Sequence, residues 1–115
     1  MSKMLVLLIG GKENINAEMV AFNFAINASS RAKAEIEFML LGRGVQAANR
    51  KQKTSPQFKE QIDNMKKLSI PVKICKVSME GEGLTDDDIF PGLELVFGGV
   101  EVNNKIDQGF TVITF

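Results

Sequence analysis

The chain of 115 residues contains one cysteine and no histidine. Without a side chain that titrates near neutrality, Ser-His-Asp triads, Cys-His dyads and histidine-ligated metal sites are excluded. Covalent chemistry is left to a thiolate at Cys75, within Val72-Lys73-Ile74-Cys75-Lys76-Val77. An unperturbed thiol titrates at about 8.5 and is only a few per cent ionised at pH 7, so its usefulness depends on its surroundings. Lys73 and Lys76 flank it, and the following loop offers backbone N–H groups at Gly81 and Gly83. Against this, most lone cysteines in apolar strands are small buried side chains, and position alone favours that plainer reading.

Other candidates are weaker. Gly10-Gly11-Lys12 follows an apolar run but lacks the spacing of a Walker or dinucleotide loop, and reads as a strand-to-helix turn. Arg43, Arg50, Lys51 and Lys53 form a basic stretch of the kind usually just solvated. Asp86-Asp87-Asp88 after Thr85 reads as a helix N-cap with acidic first-turn residues rather than a cation site, because adjacent carboxylates on a helix point apart. The six methionines fall singly into apolar stripes.

Composition narrows the class. Fourteen basic residues balance fourteen acidic ones, so no global field pulls the chain toward nucleic acid or an anionic membrane. Tryptophan and tyrosine are absent, and most of the eight phenylalanines lie in apolar strings that read as core. One thiol can form no internal disulfide and falls short of a zinc site, which points to a reducing, cytoplasmic setting without metal or other cofactor. The apolar run Met4 to Ile9 is too short to span a bilayer and reads as a strand.

These residues are positioned by alternating elements. Lys3 to Ile9, Ala34 to Leu41, Val72 to Val77, Leu93 to Phe97 and Phe110 to Phe115 read as strands. Between them lie a helix from about Asn16 to Arg31, a second capped by Ser55 with Pro56 in its first turn, a short one after Thr85 and another over Val100 to Gln108. Ser78 to Leu84 reads as a loop, Gly98-Gly99 as a turn, and Gln46 to Ser55, short of large apolar residues and carrying Arg50, Lys51 and Lys53, as the most mobile segment. In the first helix, Ala17, Val20, Ala21, Phe24 and Ala28 form one apolar stripe, and Ile15, Met19, Phe22 and Ile26 a second nearly opposite it. A helix apolar on two sides needs two coverings, the sheet and another subunit or element. The second helix is simply amphipathic through Phe58, Ile62, Met65 and Leu68. The expected architecture is one domain over residues 1–115, a three-layer α/β/α flavodoxin-like fold around a mainly parallel five-stranded sheet, with its functional edge at the strands' carboxyl ends.

Several stretches in order resemble the DsrE/DsrF-like family of small sulfur-relay proteins. They are the opening strand, Gly42-Arg43-Gly44-Val45, Ile70 to Met79, Gly83-Leu84-Thr85 through Pro91-Gly92-Leu93-Glu94, and the closing Phe110 to Phe115. The resemblance runs along essentially the whole chain. It implies a flavodoxin-like domain assembling as a homo-oligomer, a trimer or hexamer, and a persulfide-carrying cysteine at Cys75, reversing the reading made from position alone. It also implies sulfur donor and acceptor proteins as partners, because a lone cysteine has no internal resolving thiol. Gly42 to Val45 would border the site, with Arg43, Gly44 and Lys76 as substrate-binding candidates and Arg43 or Lys76 stabilising an anion. The alternative within the family is a non-catalytic structural or regulatory subunit with Cys75 merely buried. Nucleotide or small-anion binding at the strand edge is a third reading, disfavoured by the glycine spacing.

Overall fold

The computed structural model describes residues 1–11 and 15–115, so Lys12 of the Gly10-Gly11-Lys12 turn lies outside the described residues. Five parallel strands form the sheet: β1 (Lys3–Leu8), β2 (Glu35–Leu40), β3 (Val72–Cys75), β4 (Glu94–Val96) and β5 (Thr111–Thr114), in the spatial order β4-β3-β2-β1-β5. The helices are α1 (Ile15–Ser30), α2 (Ser55–Lys67), α3 (Lys76–Gly81) and α4 (Gly98–Asp107), with 3₁₀ turns at Gly42–Ala48 and Asp86–Asp88. The expected α/β fold with a five-stranded parallel sheet is the observed one.

β1 is an interior strand, paired with β2 from Lys3↔Glu35 to Leu8↔Leu40 and with β5 from Met4↔Thr111 to Leu7↔Thr114. An interior strand is covered on both faces, which is why its run is continuously apolar rather than alternating. Val6 and Leu8 join the larger core, while Leu5 and Leu7 join the smaller one across the sheet. The larger core receives Ala21, Phe22 and Ala25 from α1, Phe58, Ile62 and Met65 from α2, and Met79 from α3. Phe22 stacks on Phe38 with ring centroids 4.9 Å apart and tilts against Phe58 at 5.9 Å. Burying each such side chain stabilises the fold by roughly 1.5–3 kcal/mol.

From β1 to β4 the chain moves steadily toward one edge, then returns past β1 to β5. A right-handed crossover in the opposite direction puts its helix on the opposite face. That helix is α4, which packs Val102 against Leu5, Leu7, Met39 and Phe110. The second layer is therefore thin.

Several local expectations are corrected. α1 buries Ala21, Phe22 and Ala25 together with Glu18, so its sheet-facing side draws on both apolar stripes and on residues of neither. Val20 and Phe24 of the first stripe are exposed. Thr54, not Ser55, is the residue before α2, because Pro56 favours an early helical position. The stretch 46–55 is anchored at its start: Ala47 and Ala48 are buried in the 3₁₀ turn, and Asn49 bridges to Ile89. The third strand stops at Cys75, and the expected continuation through Val77 and loop from Ser78 are instead α3. Gly98-Gly99 opens α4 rather than forming a separate turn.

Candidate functional site

Strand alternation sends Val72 and Ile74 of β3 into the larger core and leaves Lys73 and Cys75 facing α4. Cys75 is the last strand residue and the residue on which α3 begins. Its side chain is buried, at 5% exposure. Backbone turns helical immediately after it, so the first N–H groups of α3, which have no partner within their own helix, open toward the strand end. Gly98, the first residue of α4, closes the other side. A Cβ there would lie 3.2 Å from Cys75 Sγ and 2.7 Å from Leu41 Cδ1, so the backbone can come this near the sulfur only because the residue is glycine.

Burial pushes the Cys75 thiol up, but the Ser78 hydroxyl and the backbone N–H groups of Ser78, Gly98 and Val77 outweigh it and hold the thiol below its ordinary value. Cys75 makes no side-chain cap hydrogen bond on α3. The Ser78 oxygen is held in turn: it accepts the Gly42 N–H at 2.8 Å, which leaves its own hydrogen for the sulfur. Gly42 reaches Ser78 from a turn with φ +59°, a backbone conformation that favours glycine. The turn after β2 thus supports the thiol through Ser78. Donors at Ser78 and Gly98 replace those expected at Gly81 and Gly83, because residues after Cys75 coil into a helix instead of a loop.

The other candidate residues are dispersed. Arg43 is exposed in the 3₁₀ turn, and Lys76 is exposed at the start of α3. Gly44 is buried against the Leu8 carbonyl, which a Cβ would overlap, so its contact is with the end of β1. Lys73 does not serve the thiol directly; its ammonium lies 2.8 Å from Glu101, 3.3 Å from Glu37 and 3.5 Å from Glu94. The basic and acidic runs largely answer one another: Arg50 Nε donates to the Asp87 carbonyl at 2.7 Å, and Lys51 pairs with Asp88 at 2.6 Å. Lys51 first, then the backbone and hydroxyl of Thr85, bring the Asp88 carboxyl down to about 2. No group of three or more Cys, Asp or Glu side chains placed to hold a metal occurs among the described residues. No helix of the described residues is long and apolar enough to cross a membrane.

Sequence reasoning missed Ser78, Gly98 and Glu37. Ser78 falls in the expected loop over Ser78 to Leu84, although its position three residues after a strand-end cysteine fits the first turn of a helix. Glu37, one of two glutamates in the expected second strand, is buried beneath α4.

Comparison with known proteins adds a family and a fold. The DsrE/DsrF-like family matches residues 3–115. Among curated proteins nothing matches. The ychN protein from E. coli superposes with a TM-score of 0.83 at 21% identity, covering 100% of both chains. MTH1491 from Methanobacterium thermoautotrophicum, a protein of unknown function, gives 0.77 at 15% identity over 100% of both. BT1422 from Bacteroides thetaiotaomicron, likewise of unknown function, gives 0.76 at 19% identity, over 99% of this chain and 95% of its own. At these identities the solved structures carry the fold alone.

Proposed function

The chain belongs to the DsrE/DsrF-like family, and from that premise we propose that it is a sulfur carrier whose single thiol, Cys75, holds sulfane sulfur as a persulfide. The observation that carries the reading is the set of donors at the sulfur, the Ser78 hydroxyl and the N–H groups of Ser78, Gly98 and Val77, which favours the thiolate despite burial. The Cys75 thiolate attacks the outer sulfur of a donor persulfide. A new S–S bond forms to Cys75, the donor's S–S bond breaks, and the donor leaves as a thiolate. An acceptor thiolate then attacks the terminal sulfur and Cys75 departs as thiolate under the same donors. Electrons and sulfur balance in both steps, so neither a redox cofactor nor a histidine base is needed. With one cysteine per chain, donor and acceptor are other molecules.

The exposed Arg43 and Lys76 are the cations we assign to meet an anionic donor at the mouth of the site, with Gly44 keeping the adjoining turn against β1. A homo-oligomer, trimeric or hexameric as the family resemblance implies, is part of the proposal; it is supported by Val20 and Phe24 on the outer side of α1, 55% and 38% exposed. The setting we propose is cytoplasmic, and neither nucleic acid nor a membrane is proposed as a partner.

Incubation with a low-molecular-weight persulfide followed by intact-mass measurement tests the carrier. The expected result is a gain of one sulfur atom, removed by a reductant and absent in Cys75→Ser. No gain, together with a native thiol that resists alkylation, overturns it. That outcome supports the second reading, a non-catalytic structural or regulatory subunit, which rests on the burial of Cys75.

A further inference from the structure

Beneath α4 lies a charged cluster that the sulfur chemistry does not use. Glu37 of β2 is 2% exposed, and Lys73 of β3, Glu101 and Lys105 of α4 are 14%, 13% and 18% exposed. Lys73 bridges Glu101 at 2.8 Å and Glu37 at 3.3 Å, while Lys105 reaches Glu37 at 3.2 Å. Lys105 also lies over the Phe110 ring, 4.8 Å from its centroid. Glu94 of β4 approaches Lys73 at 3.5 Å but is largely exposed.

Within α4, Gly98, Glu101 and Lys105 are spaced three and four apart and form one stripe. That stripe faces the sheet: its upper end rests on Cys75, and its lower residues enter the cluster. The helix has little else to fix it. Val102 packs on the smaller core, but Val100 and Ile106 are 61% and 54% exposed. Apolar contact is non-directional and tolerates sliding, whereas paired charges with small exposure fix both the height and the rotation of the helix. Lys73 and Cys75 are two residues apart on the same strand and the same face, so the pin and the thiol share one rigid element.

We propose that Glu101, held by Lys73, which Glu37 anchors from the sheet, is a positioning residue for Cys75: it pins α4 so that the Gly98 N–H stays on the sulfur. The inference rests on Cys75 being a titratable, reactive thiol. Acting through Gly98, the pin brings a backbone donor and the positive end of a ten-residue helix to the thiolate.

Sign separates positioning from direct electrostatics. Removing a carboxylate near a thiol, with nothing moving, makes the thiol more acidic. Releasing α4 from the sulfur makes it less acidic. The test is the pH profile of Cys75 alkylation by iodoacetamide in the full chain, for wild type, Glu101→Gln and Glu37→Gln. Both variants keep side-chain shape, and thermal melts report whether each folds. We expect the profile's midpoint to move to higher pH in both, with reaction at pH 7 slowed about twofold or more. Ile62→Val, which trims the core on the other side of the sheet, should lower the melting temperature and leave the midpoint in place. A midpoint unmoved or displaced to lower pH in a folded Glu101→Gln or Glu37→Gln overturns the inference, as does an equal displacement in Ile62→Val. If both glutamine variants fail to fold, Lys105→Met, which loosens the pin from its far end, is read in the same way. A wild-type thiol inert at every pH would instead overturn the reading of Cys75 itself.

Discussion

Ser78→Ala removes the hydroxyl that joins the turn after β2 to the thiol. Two effects follow. The Gly42 N–H loses an acceptor at 2.8 Å in a half-buried position, worth about 1 kcal/mol, which lowers the melting temperature by about 4 °C. The Cys75 thiolate loses a charge-assisted donor. The N–H groups of Ser78, Gly98 and Val77 remain, so the loss is set near the bottom of the range for such bonds, about 1.4 kcal/mol, or tenfold in the acid constant. A tenfold less acidic thiol is also about threefold more nucleophilic once ionised. Alkylation of the variant should therefore run about threefold slower than wild type at pH 7 and about threefold faster above pH 10, the two curves crossing between. Stability gives an independent check. A folded-state thiol held below its ordinary value contributes stability that is present above the unfolded thiol's pKa, about 8.5, and lost as pH falls through the folded value. The stability cost of Ser78→Ala is thus larger at pH 9.5 than at pH 7. Stopped-flow alkylation across pH and urea unfolding at the two pH values measure both. Superimposable rate profiles, or an offset of one sign at every pH, would refute the hydrogen-bond argument and leave only an effect on access.

Four further outcomes are expected. Gly98→Ala places a methyl against Cys75 Sγ and Leu41 Cδ1 and pushes α4 off the sulfur; the midpoint of the alkylation profile should move to higher pH, with slower reaction at pH 7. Burial first, then the neighbouring Glu101, push the Glu37 carboxyl up to about 7 against Lys105 and Lys73. A carboxyl raised on folding loses stability as pH rises from the unfolded value toward the folded one, so Glu37→Gln should flatten the pH dependence of unfolding between about pH 5 and 7. Carboxyl carbon NMR should place the Asp88 titration near 2 in wild type and move it up in Lys51→Ala. Light scattering should find an oligomer, and Val20→Glu on the outer side of α1 should shift it toward monomer; a clean wild-type monomer would remove that part of the proposal.

The strands were legible because a parallel sheet covered on both faces writes continuous apolar runs, and Leu5 to Leu8 or Phe38 to Leu40 have no other stable placement. Which side of α1 faces the sheet was not legible, since 3.6-residue spacing shows two apolar stripes without saying that Ala25 and Glu18 lie between them toward the core. Cys75 could be found as a type of residue, but its environment could not. Its donors come from a helix that starts one residue later and from Gly98, 23 positions on, and nothing local distinguishes Gly98-Gly99 in a turn from the same pair opening a helix against a sulfur. Glu37 fails for a related reason: one carboxylate in an apolar strand acquires meaning only when Lys73 and Lys105 arrive from other elements.

The division between the two sheet faces has a physical logic. The face under α1, α2 and α3 holds Phe22 stacked on Phe38 and tilted against Phe58 and, Glu18 aside, is closely packed and apolar, since nothing there has to react. A carrier thiol makes opposite demands: enough donors to remain ionised, and a neighbour able to yield when a second sulfur must fit beside it. A helix held along its whole length would meet the first demand and resist the second. α4 is pinned by charge at Glu101 and Lys105, while Gly99 and Val100 of its first turn are exposed and can give way by a fraction of an ångström. The persulfidated chain should therefore show faster amide exchange than the free thiol in the first turn of α4, at Gly99 to Val102, with exchange in α2 unchanged. Equal protection of α4 in the two forms would mean that the extra sulfur is accommodated elsewhere, and the thin layer would then lack the role argued for it.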